Sequence, residues 1–258
     1  MGKYDGILLC SDLDGTLLDS SSKLSKENYD AIKYFCDHGG KFCLATGRWP
    51  SYLLEIVSKD LFNCPIICCN GACIYDFETE SVLYANPLGD KAEELCRFII
   101  ENCKGIVNSR IIENLNLHMF ENMQKNAGEI ISLMNSVVYK MVLITNTAED
   151  AIEIRELLTK NFGDDFDFTR SWDKGVEILK KGATKGDAIS HLKDIIKGVS
   201  TCICVGDYEN DVTMIKNADI GCAMANAVPA LKAAADKTIC NNDEHAIKYI
   251  VENICDKL

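Results

Sequence analysis

Short apolar runs alternate along this chain with stretches whose apolar positions recur every three or four residues. The first pattern predicts strands and the second helices. Tyr4–Ser11 reads as a buried strand, Lys41–Ala45 as a second, and Pro65–Asn70 as a third ending at the turn pair Asn70-Gly71. Between them lie a helix over Ser25–His38, with Ser25 as its N-cap and Gly39-Gly40 as its stop, and a helix over Pro50–Lys59. Ile74–Phe77 and Val82–Tyr84 read as a hairpin around Glu78-Thr79-Glu80. The far end repeats the alternation. It gives a helix over Lys185–Lys197, the strand Thr201–Val205, a helix over Asp211–Asn217 and the strand Asp219–Met224. The Ala-rich helix Pro229–Ala235, the strand Thr238–Cys240 and the closing helix His245–Lys257 follow. Strands alternating with helices predict a parallel sheet with crossover helices.

The middle of the chain has a different rhythm. Asp90–Cys103 is an amphipathic helix, Asn114–Phe120 alternates like a half-exposed strand, and Val137–Thr145 is an apolar strand. A helix over Ala148–Phe162 and strands over Asp164–Arg170 and Val176–Leu179 follow. The expected fold class is therefore α/β, a Rossmann-like parallel-sheet core with an inserted α+β module. The core takes residues 1–82 and 183–258, and the insert 83–182. An insert of that size can fold as its own unit.

Composition narrows the functional classes. The 258 residues carry 39 acids against 27 Lys and Arg, a formal charge of −12. That balance disfavours nucleic acid as a partner, because phosphate backbones need clustered cations. No run approaches the roughly 20 apolar residues of a membrane span, and no secretory signal opens the chain. A cytoplasmic protein is expected. Its 14 cysteines are scattered, without a C-x-x-C pair, and read as reduced thiols serving as small core residues. Cys202 and Cys204, two apart in one strand, face the same side of it, which leaves a metal or redox role as the alternative. The four histidines form no constellation, and Trp49 and Trp172 read as packing residues.

Chemistry concentrates where strands end. Asp12-Leu13-Asp14-Gly15-Thr16 follows the first strand, so two carboxylates sit at its C-terminal mouth, where open α/β sheets hold their ligands. Neighbouring carboxylates repel and call for a partner, and a hard divalent cation such as Mg²⁺ suits oxygen ligands. Asp207 and Asp211, in the cluster after Val205, leave the same edge of the sheet and could reach a cation held by Asp12. Thr46, Gly47 and Arg48 follow the second strand, where a hydroxyl and a Gly amide can hold a phosphate oxygen. Lys185 opens a helix against its dipole, which a phosphate would justify. Each motif alone has a plainer reading as a solvated turn or helix end.

Together, D-L-D-G-T-L-L, A-T-G-R, T-K-G-D-A-I and G-D-Y-E-N-D-V-T-M, in this order, resemble the four motifs of the haloacid dehalogenase-like superfamily, and in particular its Cof-type phosphatases. The likeness extends to Asn70–Ala72 and to the A-D-I-G-C-A-M-A-N-A-V run at 218–228. It implies that Asp12 is a nucleophile that forms an aspartyl-phosphate, and that Asp14 protonates the leaving oxygen and then activates water. Thr46 and Lys185 would hold the phosphate. Asp207 would bind Mg²⁺ with Asp12 and the backbone carbonyl of Asp14, and Asn210 and Asp211 would support the phosphate and metal shell. Arg48 is left open between phosphate, a substrate hydroxyl and an acid at the cleft edge. Only 31 residues separate Asp14 from Thr46, against 138 between Thr46 and Lys185, so the insert falls where Cof-type members carry an α/β cap. Two departures stand out: Ala225 replaces a usual Gly, and His245 stands at about another Gly position.

The activity so implied is Mg²⁺-dependent hydrolysis of a small phosphorylated metabolite, such as a sugar phosphate. A phosphomutase or phosphotransferase using the same aspartyl-phosphate is the enzymatic alternative, and a non-catalytic phosphometabolite-binding module the other. The substrate's identity and the oligomeric state are not encoded in these motifs.

Overall fold

The computed structural model describes residues 2–258, and these divide into two compact units, one of residues 2–84 and 185–258, the other of residues 85–184.

The first unit is built on a five-stranded parallel sheet, in the order Lys237–Thr238, Ile220–Ala223, Thr201–Gly206, Ile7–Ser11, Lys41–Leu44. Every residue of Ile7–Ser11 is buried, as a central parallel strand requires. The helix Lys26–Asp37 begins at Ser25, whose hydroxyl accepts the Asn28 N–H at 3.2 Å. Asn28, buried, ties this helix to its neighbours: its amide donates to the Leu17 carbonyl at 3.3 Å, and its oxygen accepts Ile247 N–H at 3.0 Å. A three-stranded sheet of Ile66–Cys68, Cys73–Asp76 and Ser81–Ala85 lies beyond the second strand, reached through a single parallel bridge from Ala45 to Ile67.

The third strand stops at Cys68, short of the expected Asn70, because Cys69 and Asn70 both turn into the left-handed region at φ 52° and 58°. The first strand likewise begins at Ile7, after a turn over residues 3–6, and the helix expected over Pro50–Lys59 ends at Ile56. His245 sits at φ 59°, so the residue standing where a Gly was expected adopts a conformation that favours Gly.

The second unit carries a five-stranded antiparallel sheet, in the order Asn116–Phe120, Ile106–Glu113, Val138–Thr145, Gly175–Lys180, Phe166–Thr169. Ile111, Met141, Leu143 and Ile178 join Leu95, Ile99, Ile154 and Leu158 in one apolar cluster, so the helices Ala92–Asn102 and Ala148–Phe162 cover one face of the sheet. Thr147 and Asp150 form a capping box at the start of the second helix. Lys140 and Glu177 are both buried and ion-paired across neighbouring strands. Sequence patterning misses the strand Ile106–Glu113 and the helix Ala127–Leu133.

All 14 cysteines are free. Among the described residues no helix is long and apolar enough to cross a membrane.

Candidate active site

Asp12 leaves the first strand nearly buried, and its N–H is held by the Val205 carbonyl of the adjacent strand at 3.0 Å. The chain then winds through one wide turn, Leu13–Leu17, closed by Leu18 N–H on the Leu13 carbonyl at 2.9 Å. Gly15 makes this turn possible. Its φ is +76°, and a Cβ there would stand 2.5 Å from Oδ2 of Asp207. The same turn brings the Thr16 hydroxyl to Oδ1 of Asp207 at 3.1 Å.

Asp211, fully buried, divides its carboxylate between two tasks. Oδ2 accepts the backbone N–H groups of Asp207 at 2.9 Å and Tyr208 at 3.1 Å, which fixes the loop after the strand Thr201–Gly206. Oδ1 lies 2.6 Å from Nζ of Lys185. That ammonium, fully buried at the start of the helix Lys185–Ile196, is also 2.6 Å from Oδ1 of Asp12.

Carboxylate oxygens of Asp12, Asp207 and Asp211 all lie within 4.8 Å of one another. Three carboxylates thus face a single ammonium. Burial pushes the Asp12 carboxyl well above the usual carboxylate range; Lys185 opposes this, while Asp211 and Asp207 add to it. Burial, and then the charge of Asp211, pushes Asp207 up to about 6. Burial works against the Lys185 charge, but Asp12 and Asp211 outweigh it and its pKa is raised. The arrangement is short of positive charge, and its free oxygens are hard donors. A small divalent cation fits both facts.

The second strand contributes a different group. Arg48 donates from Nε and Nη2 to the two oxygens of Asp14, each at 3.0 Å. The Asp14 carboxylate is therefore engaged by Arg48 and stands outside the three-carboxylate group. Of the destinations open to Arg48 in the sequence, the structure takes the acid. The buried Thr46 hydroxyl accepts the Arg48 N–H at 3.2 Å. Half-buried Gly47 lies between them, in a loop held by Thr46 N–H on Ile67 O at 2.9 Å and Asn70 N–H on Thr46 O at 2.8 Å.

Asn210 donates to the Asn70 side-chain oxygen at 3.2 Å. Asn226 donates to the Gly15 carbonyl at 2.9 Å, bracing the turn after Asp12. Sequence reading did not single out Asn70 or Asn226 as site residues. The available signal was their place in N-G-A and A-M-A-N-A, directly after strands.

A family model described as haloacid dehalogenase-like hydrolase matches residues 9–251. A Bacillus subtilis protein named 5-amino-6-(5-phospho-D-ribitylamino)uracil phosphatase is 26% identical, with 93% of this chain and 94% of that protein covered. The chloroplastic endoribonuclease YBEY of Arabidopsis thaliana is also 26% identical over 92% of this chain, which spans only 44% of that longer protein. Among solved structures, a protein from Thermotoga maritima superposes with a TM-score of 0.76 at 25% identity, covering 96% of this chain and 97% of that one.

Proposed function

This chain belongs to the haloacid dehalogenase-like hydrolases, and on that premise we propose that it is a Mg²⁺-dependent phosphatase of small phosphomonoesters, sugar phosphates or compounds like them. The observation that carries the reading is the buried Lys185 ammonium held 2.6 Å from both Asp12 and Asp211 at the mouth of the central strands. A lysine so placed can neutralise phosphate oxygens while keeping the Asp12 carboxylate aimed.

In the reaction read from this arrangement, the carboxylate of Asp12 attacks phosphorus as the ester P–O bond breaks, giving an aspartyl-phosphate and an alkoxide leaving group. Asp14 gives that oxygen its proton. Asp14 then takes a proton from water, which attacks phosphorus and releases inorganic phosphate and the Asp12 carboxylate. Each Asp14 oxygen accepts one bond from Arg48 and keeps a second lone pair, which is where the proton is carried while Arg48 holds the carboxyl in orientation. Thr46, the Gly47 amide, Lys185 and Asn210 are assigned to the phosphoryl oxygens. Asp12, Asp207, the Asp14 carbonyl and, through its hold on the loop, Asp211 are assigned to Mg²⁺, whose bound charge would offset that of the transferring phosphoryl group. Residues 85–184 are assigned to substrate choice. Fourteen thiols without a disulfide accord with the reducing cytoplasm as its location.

The test is phosphate release from a panel of sugar phosphates, nucleotides, pyridoxal phosphate and an aryl phosphate, with Mg²⁺ and with chelator. Asp12→Asn is run beside the wild type. Mg²⁺-dependent turnover that the variant loses is expected. Phosphate transfer to an added alcohol in place of water would move the reading to a phosphotransferase. Binding without turnover would move it to a binding module.

A further inference from the structure

The first unit contains a second group of metal-type ligands, made of sulfur. Cys10 lies on the strand Ile7–Ser11, and Cys202 and Cys204 on its neighbour Thr201–Gly206. Cys10 and Cys204 are register partners, and Cys202 precedes Cys204 by two, so all three thiols emerge on one face of the sheet. The Sγ atoms lie within 4.8 Å of one another, and those of Cys202 and Cys204 are 3.7 Å apart. All three residues are fully buried.

A tetrahedral zinc ion bound at about 2.3 Å to each sulfur sets those sulfurs about 3.8 Å from one another. The Cys202–Cys204 separation already has that value. Filling a core with small residues does not by itself require three sulfurs to converge on one point. Cys43 stands level with Cys10 on the next strand, Lys41–Leu44, and its thiol now donates to the Leu44 carbonyl at 3.0 Å. Its strand lies two away from that of Cys202 and Cys204, roughly 10 Å across the sheet, so its sulfur stays outside the group. Two of these residues share strands with the acid cluster: Cys10 lies two residues before Asp12, and Cys204 three before Asp207.

The geometry points to a buried site for one thiophilic divalent cation of the Zn²⁺ class, held by Cys10, Cys202 and Cys204. Each thiol that ligates loses its proton to solvent, so the cation's charge is met by thiolates within the sheet. The site is closed to solvent and is loaded as the chain folds. It is separate from the oxygen site above, and thiolates select for it: soft ligands prefer Zn²⁺ or Cu⁺, whereas Mg²⁺ prefers carboxylates. Bound there, the cation ties Ile7–Ser11 to Thr201–Gly206 directly beneath the carboxylates.

The experiment refolds the full chain from denaturant under reducing conditions, with excess Mg²⁺ to occupy oxygen ligands and Co²⁺ as the spectroscopic stand-in for Zn²⁺. One Co²⁺ per chain with sulfur-to-metal charge-transfer absorption, bleached by Zn²⁺, is the expected result. Cys202→Ser/Cys204→Ser should lose the band, and Cys96→Ser, in the other unit, should keep it. Cys10→Ser alone serves if the double variant does not fold. A chain that refolds without a sulfur band, or a band that survives the cysteine substitutions, overturns the site. A parallel titration with Cu⁺ separates the two thiophilic cations: a stoichiometric Cu⁺ complex with no Co²⁺ band would overturn the divalent assignment. None of these readouts depends on phosphate hydrolysis.

Discussion

Arg48 closes over Asp14 with two parallel contacts of 3.0 Å, one to each carboxylate oxygen. A fork meeting a carboxylate in this way fixes orientation as well as charge. The two side chains are 32% and 48% exposed, so the pair contributes little to folding, about 1 kcal/mol or less. Its value lies in aiming Asp14. Arg48→Ala should unfold at nearly the wild-type denaturant concentration while its turnover drops about tenfold, since a misaimed acid loses its advantage of position. Arg48→Lys, which keeps the charge and loses the fork, should recover only part. Unchanged kcat and KM in Arg48→Ala would reduce the contact to a surface ion pair.

Lys185 is the opposite case. Removing it strands two buried carboxylates, and Lys185→Met should cost about 3–5 kcal/mol of stability. The double variant Lys185→Met/Asp211→Asn should lose less than the sum of its parts, because one stranded charge goes too. Equilibrium unfolding in urea measures all four proteins of the cycle. Strict additivity would show that the 2.6 Å contact carries no coupling.

Gly15 links backbone shape to the acid cluster. Gly15→Ala forces a side chain into a positive-φ position and pushes at Asp207 from 2.5 Å. About 1–2 kcal/mol of stability should be lost to the backbone alone. Mg²⁺ affinity should weaken as well, read by the metal-induced rise in melting temperature. An alanine variant that binds Mg²⁺ as the wild type does would free the turn from any role in setting Asp207.

Asp207 gives a pH dependence with a definite sign. In the metal-free protein its pKa is about 6, against an ordinary value of 3.8 in the unfolded chain. Between those values the folded state holds the proton and the unfolded state does not. Stability of the metal-free protein should therefore fall as pH rises from about 4 to about 6 through this group. Metal must displace that proton, so through this group Mg²⁺ affinity should rise with pH, by up to tenfold per pH unit below about pH 6. Calorimetric titration at pH 5 and 7 checks the slope, and equal affinity at both would remove Asp207 from the metal shell.

The strand exits were legible because a buried apolar run that meets Asp or Thr and then Gly marks a strand opening into a tight polar loop, and the family resemblance they carried is borne out. The helix Ala148–Phe162 was legible to both ends, since Thr147 and Asp150 announce its start. Ile106–Glu113 was hidden because Asn108, Ser109 and Arg110 interrupt the apolar alternation in mid-strand. The contacts Arg48–Asp14, Asn210–Asn70 and Thr16–Asp207 join residues 34, 140 and 191 positions apart. No local pattern encodes such pairings; they follow only from the order of strands in the sheet.

That order also sets a timetable for synthesis. The strand Ile7–Ser11 has Lys41–Leu44 on one side from early on, but its other neighbour, Thr201–Gly206, leaves the ribosome almost two hundred residues later. The ammonium that compensates Asp12 arrives 173 residues after it. Until then the nascent amino-terminal segment carries an unpaired apolar edge and an uncompensated acid. Such an edge is a template for association with other chains. The discontinuous unit is thus completed late, and the interval before its last strands emerge is when the polypeptide is most exposed to misassembly.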